Sequence, residues 1–225
     1  AAILQSAYIP WRGYFDMIAA VDEFVLYDDV QFSNGDWRNR NRIQTQAGPK
    51  WMTIPVPKKS RIKQNIEDIR PSNSDWQMDH WNRIVASYAK APFFGEIEAL
   101  LFPVYQTPFE RLSDVNHELI SVICGYLGIE TRISWSTDYV LPAGRVERLV
   151  ALCERLSCDT YVSGPAAKAY LDEGAFSRRK INVEWFRYDN LKPYPQIHSE
   201  FEPNISIIDL LFNRGPDAPK YLGTK

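Results

Sequence analysis

The chain has few of the residues that carry the commonest enzyme chemistries. It holds three cysteines, three histidines and three methionines in 225 residues. No two histidines have metal-ligand spacing, and Cys124, Cys153 and Cys158 form no zinc pattern, so no metal centre is expected. Cys153 and Cys158 have no obvious activating base, which argues against a thiol nucleophile. The odd count and wide spacing suit reduced thiols on or beside helices, and the expected location is cytoplasmic. No apolar run approaches the roughly 18 residues of a membrane span, and no secretory signal is visible. A GxGxxG loop and a Walker glycine-lysine pattern are both missing. So is an excess of either charge: 26 basic against 28 acidic residues leave a net −2, which gives no case for a polyanion partner. There is no internal repeat and no low-complexity segment.

What remains is an ordinary globular composition, 45% hydrophobic and 24% charged, long enough to bury a core without staples. Strand and helix signals alternate. Strands are predicted over residues 2–4, 24–27, 132–135, 160–162 and 181–186. Helices are predicted over residues 15–20, 75–89, 112–127, 145–156, 166–171 and 205–213. Asp75 and Ser113 are read as caps, and Gly128 as a stop. Residues 43–56 read as extended, with an edge strand at best before Pro55 and Pro57. This alternation predicts an α/β fold: a Rossmann-like, mostly parallel sheet with flanking helices. Residues 36–111 break the alternation and are read as a mixed or helical insertion in a single domain spanning residues 1–225. From Asp36 to Lys63 eight basic residues face one acid. That local excess can attract a phosphate, or it can be a solvated face.

Three clusters are candidate sites, because ligands of layered α/β proteins sit at strand ends. The first is the loop after the first strand, with Gln5, Tyr8, Arg12, Gly13 and Tyr14. A glycine at a helix start lets a phosphate approach the helix N-terminus. The position is similar to the nucleotide loop of HxGH-type nucleotidylyltransferases. The tetrad here is Trp11-Arg12-Gly13-Tyr14, without either histidine, and the alternative is a plain structural turn. The second is Asp28-Asp29-Val30-Gln31 with Trp37-Arg38-Asn39-Arg40-Asn41. Carboxylates can take a ribose or an amine, arginines a phosphate, and asparagines sugar hydroxyls. The alternative is an ion-pair network of Asp28, Asp29, Arg38 and Arg40. The third is Ser163-Gly164 before Pro165, which offers backbone N–H groups and a hydroxyl, or is simply a tight turn. His80, near Lys90, is a candidate general base or a packed core histidine. His117 reads as structural.

In collinear order along almost the whole chain, these residues resemble the WbqC-like protein family. The similar blocks are residues 5–15, 27–31, 37–43, 51–56, 87–94, 160–165 and 206–212. Ser6 departs from the family's usual proline, and Trp11 replaces a commoner aromatic. The resemblance implies a role in bacterial surface-glycan biosynthesis, such as O-antigen of lipopolysaccharide. It suggests a transferase that attaches an acyl or aminoacyl (glycyl-type) group to the amine of a nucleotide-linked amino sugar. The acyl donor is open: an ATP-activated acid (ATP with magnesium as cofactor), a thioester, or an aminoacyl-tRNA as the one expected nucleic-acid partner. On this reading Asp29, Asp28 or His80 is the base that frees the amine. Arg38, Arg40 and Arg12 hold the diphosphate, and Ser163, Gly164, Asn39 or Asn41 stabilise an oxyanion. The competing classes are nucleotidyl or adenylyl transfer and a non-catalytic sugar-nucleotide binding protein.

Overall fold

The short apolar run at the N-terminus becomes the central strand of a parallel sheet. The computed structural model describes residues 1–57, 64–198 and 201–224. Lys58, Lys59, Arg61 and Lys63 of the basic stretch therefore lie outside the described residues. Strands are β1 (Ala2–Leu4), β2 (Glu23–Leu26), β3 (Arg40–Ile43), β4 (Lys50–Thr53), β5 (Arg132–Trp135), β6 (Thr160–Ser163) and β7 (Asn182–Trp185). Helices are α1 (Arg12–Ala19), α2 (Asp75–Tyr88), α3 (Phe94–Gln106), α4 (Leu112–Leu127), α5 (Arg145–Arg155), α6 (Glu173–Ser177) and α7 (Ile207–Arg214).

The main sheet has the order β5-β2-β1-β6-β7, and every pairing in it is parallel. Side chains alternate across it as strand geometry requires. Ala2, Leu4, Phe24, Leu26 and Val162 enter one core, together with α1, α2, α3, α4 and α7. Ile3, Val25 and Tyr161 enter a second core under α5 and α6. Both faces are covered, which is why β2 reads as a continuous apolar run rather than an alternating one. The fold is α/β and Rossmann-like. Successive strands extend from β1 to one side as β2 and β5, then cross to the other side as β6 and β7. The reversal falls between β1 and β6, where the C-terminal strand ends part and leave a crevice.

The described residues of 36–111 add no strand to this sheet. They carry the antiparallel pair β3–β4, with Asn41 opposite Met52 and Arg42 opposite Trp51, and the helices α2 and α3.

Several boundaries move for local reasons. α1 starts at Arg12, so Gly13 lies within its first turn. The helix expected over residues 166–171 is a 3-10 turn, Pro165–Ala169. The chain then restarts at α6, where the Asp172 carboxylate accepts the Gly174 N–H. Ser113 lies inside α4 and Asp75 inside α2, each one or two positions past the cap. Gly128 ends α4 as expected, at φ +63°, with the Ile129 N–H returning to the Cys124 carbonyl at 2.9 Å. No described helix is long and apolar enough to cross a membrane.

Candidate functional site

A cleft of about 330 Å³ opens at the C-terminal end of β1. Leu4, Ala7 and Pro10 supply its apolar floor; Trp11, Tyr14 and Trp37 supply aromatic walls; Arg38, Asn41 and Asn204 complete it. This is the place where an open α/β sheet binds its ligands. A mostly apolar lining with a few fixed polar groups is typical of a small-molecule site. Arg38 is the one basic or acidic side chain in that lining among the described residues. The N-terminus of α1 stands at the same edge, and its N-cap residue Trp11 provides no side-chain cap. An indole can only donate, so it cannot satisfy the first-turn N–H groups.

The loop forming this edge, residues 5–11, is held at many of its polar atoms by residues distant in sequence. The Gln5 carbonyl accepts from Tyr14 OH at 3.1 Å and from Arg38 at 2.8 Å. Arg38 also donates to the Ser6 carbonyl at 2.9 Å. The Ser6 N–H donates to Asp28 Oδ1 at 2.8 Å, and Ser6 Oγ accepts from Asn116 at 3.0 Å. The Tyr8 N–H donates to the Trp37 carbonyl. Asn41 donates to the carbonyls of Tyr8 at 3.2 Å and Ile9 at 2.8 Å. Ile9 has φ +36° and is fully buried. A β-branched residue in that region is strained and persists only where its surroundings over-determine it.

Strand alternation explains which residues of the Trp37-Arg38-Asn39-Arg40-Asn41 run face inward. Asn41 and Ile43 of β3 are buried, while Arg40 and Arg42 are not. Asn39 is also buried and donates to the Ile54 carbonyl at 2.8 Å. On the outer face the Arg40 guanidinium donates to the Gly35 carbonyl and lies 4.2 Å from the Trp51 ring centre. Trp51 meets Trp37 at 5.4 Å between centroids, and both are roughly two-fifths exposed (42% and 43%). The outcome is an exposed aromatic and guanidinium ledge beside the cleft.

The three candidate bases occupy different settings. Asp28 is buried; desolvation raises its pKa to about 6 against the opposing pull of Ser6 and Arg38. Its Oδ2 has no hydrogen-bond partner among the described residues. Asp29 is ion-paired with Arg148 and accepts from Ser136 Oγ at 2.6 Å. The ion pairs formed are thus Asp29 with Arg148 and Arg38 with Asp36, rather than a closed set of Asp28, Asp29, Arg38 and Arg40. His80 is buried on α2, with Nδ1 2.8 Å from Tyr8 OH, which is in turn 2.8 Å from Tyr105 OH. Burial lowers its pKa to about 4, so the imidazole is neutral at pH 7. None of the three lines the cleft.

The remaining candidates divide. Arg12 is buried and donates to the Lys192 and Tyr221 carbonyls, beside the rings of Tyr194 and Phe201. Burial lowers its pKa. Gly13 makes room for Trp11: a Cβ there would sit 2.4 Å from Trp11 Cζ2. Gly164 lies near Tyr188, whose ring meets Trp11 at 5.0 Å, so the third cluster borders the first without lining the cleft. Ser163 is buried, with Oγ 3.4 Å from Tyr161 OH. Lys90 lines a separate depression with Gln44 and His198. Gln31 is exposed and bridges to Asn65.

The profile of the WbqC-like protein family matches residues 5–221. The chain belongs to this family. It is 49% identical over 222 residues to "Uncharacterized protein Rv1507c" of Mycobacterium tuberculosis (strain ATCC 25618 / H37Rv), covering 98% of this chain and 96% of that protein. No solved structure matches.

The departure at Ser6 now has a physical meaning for this WbqC-like chain. A proline would remove the N–H that Asp28 accepts and the hydroxyl that Asn116 donates to. Asn116 and Asn204 were not among the sequence candidates. Asn116 had a signal: it falls on the apolar stripe of α4 with Leu112, Val115, Leu119 and Ile120, where a polar residue needs a partner. Asn204 had none beyond its place two residues before the Ser206 cap of α7.

Proposed function

We propose that this WbqC-like protein binds a nucleotide-linked amino sugar in the cleft at the end of β1 and transfers an acyl or aminoacyl group to the sugar amine, within bacterial surface-glycan biosynthesis. The observation that supports it best is the position of an aromatic-walled cleft, with Arg38 in its lining, at the reversal point of a Rossmann-like sheet. Trp37 and Trp11 offer faces for a base or a sugar ring. Arg38 and the N-terminus of α1 favour a diphosphate. In the reaction the amine nitrogen forms a bond to the acyl carbon and the bond to the leaving group breaks. The amine proton ends on that departing group. The cleft lining has no carboxylate or histidine to take this proton or to hold magnesium among the described residues. On this reading the protein therefore contributes mainly orientation and charge stabilisation. The same observation favours the second reading, a non-catalytic sugar-nucleotide binding protein.

A thermal-shift series tests both, since a ligand that binds only the folded state raises the melting temperature. The expected result is stabilisation by a nucleoside-diphosphate amino sugar. Acylated sugar should then appear by mass spectrometry once a thioester, or ATP with an acid, is added. Binding without any product leaves the second reading. Stabilisation by ATP alone, with pyrophosphate release, replaces both with nucleotidyl transfer.

A further inference from the structure

The C-terminus of α5 ends in a left-handed turn. Ser157 has φ +53°. Its N–H donates to the Glu154 carbonyl at 3.1 Å, and the Cys158 N–H donates to the Cys153 carbonyl at 3.0 Å. These two bonds define a Schellman cap, which folds the residue after the turn back onto the last helical turn. In such caps the contact is usually between two apolar side chains. Here both partners are cysteines: the cap bond joins the Cys158 N–H to the Cys153 carbonyl, and Cys158 packs against the core cluster that holds Cys153. Cys153 is fully buried in the core beneath α5, packed with Leu149 and Leu152. Cys158 is half-buried and opens into a depression of about 440 Å³ at the N-terminal ends of β1, β2 and β6. That is the opposite end of the sheet from the cleft. One cysteine is half-exposed, and its partner in the cap is shielded.

We propose that Cys153 and Cys158 form a reversible dithiol–disulfide site, in which Cys158 reacts with a low-molecular-weight disulfide and Cys153 resolves the adduct. In the first step the Cys158 thiolate attacks one sulfur of the small disulfide. A protein–small-molecule S–S bond forms, the original S–S bond breaks, and the first small thiolate leaves with the Cys158 proton. In the second step the Cys153 thiolate attacks the Cys158 sulfur, the intramolecular S–S bond forms, and the second small thiolate leaves with the Cys153 proton. The two cysteines are oxidised and the small disulfide is reduced to two thiols, so atoms and electrons balance. Proximity to Cys153 holds the Cys158 thiol below its ordinary range, while Cys158 and burial push Cys153 up, so Cys158 is the thiol that starts the exchange and Cys153 follows only once Cys158 is capped. Cys124 takes no part. It is buried in the other core, and desolvation pushes its thiol up to about 12.

The test is to incubate the full chain with glutathione disulfide and read intact mass, thiol titre and tryptic peptides. The expected product has lost two hydrogens and holds no glutathione. It keeps one of its three thiols titratable after denaturation, and dithiothreitol restores the other two. Trypsin cleaves after Arg155, between the two cysteines, so the disulfide should join a peptide ending at Arg155 to one beginning at Leu156. Cys153→Ser should retain glutathione on Cys158, and Cys158→Ser should leave Cys153 unmodified while its thermal unfolding shows an intact fold. Wild-type protein that keeps a stable glutathione on Cys158, or that leaves both thiols free, overturns the proposal.

Discussion

The Asn41 side-chain amide donates to the carbonyl of Ile9 at 2.8 Å, and Ile9 is a β-branched residue held at φ +36°. The strained corner of the first loop is thus fixed by a strand more than thirty residues away. The cleft edge is set in the folded protein before any ligand arrives.

Asn41→Ala should leave the carbonyls of Tyr8 and Ile9 without their buried donor. A cost of about 1–3 kcal/mol is expected for such unsatisfied groups. Urea unfolding checks this. A midpoint equal to that of the wild type would mean that the corner holds itself.

Gly13→Ala should separate fold from site. The atoms nearest the new Cβ belong to the Trp11 indole, at 2.4–2.8 Å, so that ring must swing aside. Stability is expected to stay within about 1 kcal/mol of wild type. Affinity for the nucleotide-linked ligand should fall, because Trp11 leaves the cleft wall. Calorimetry on a variant with wild-type unfolding decides it, and unchanged affinity removes Trp11 from the site.

Trp37→Ala should weaken binding of a nucleoside-diphosphate sugar by about 1–3 kcal/mol, the range for loss of one base–aromatic stack. Met78 is also exposed but does not line the cleft, so Met78→Ala serves as the control. Equal affinities in the two variants would exclude stacking on Trp37.

Two buried groups should shape stability between about pH 4 and 6.5 in opposite senses. The folded-state pKa of Asp28, about 6, is above its ordinary 3.8. Between those values the folded state binds the extra proton, so the Asp28 contribution falls as pH rises. The folded-state pKa of His80, about 4, is below its ordinary 6.5. There the unfolded state binds the extra proton, so the His80 contribution rises with pH and is complete above about pH 6.5. Asp28→Asn should therefore steepen the rise of stability across this window. His80→Gln should leave a decline. Asp209, also raised by burial, acts in the Asp28 sense in all three proteins and cancels in the comparison. Unfolding free energies across the window check it, and parallel curves for all three proteins would refute the opposition.

Much of the layer order was legible in the chain. The apolar 2–4 and 24–27 runs, the stripe of α4 with its Gly128 stop, and the amphipathic α5 all follow from local periodicity and turn chemistry. α3 and α6 were not read. Pro103 interrupts the pattern of α3, and α6 is too short to show a period. The first loop stands out as a candidate site from its residue types alone, and the fold puts it at the edge of the cleft. The roles within it were not legible, because an arginine or asparagine that meets a ligand is indistinguishable in sequence from one that clamps a carbonyl.

The sequence by itself determined the strands of the main sheet, most of the helices, the two-sided burial of the central strands and the family. These depend on residue period, caps and motif order, all of which are local or collinear. Only the tertiary structure decided that Arg38 and Asn41 turn inward to Gln5, Ser6, Tyr8 and Ile9. Only the fold paired Asp29 with Arg148. The physical reason is that a polar side chain takes whichever partner burial brings within reach, and that choice depends on strand register and on packing between segments far apart in the chain.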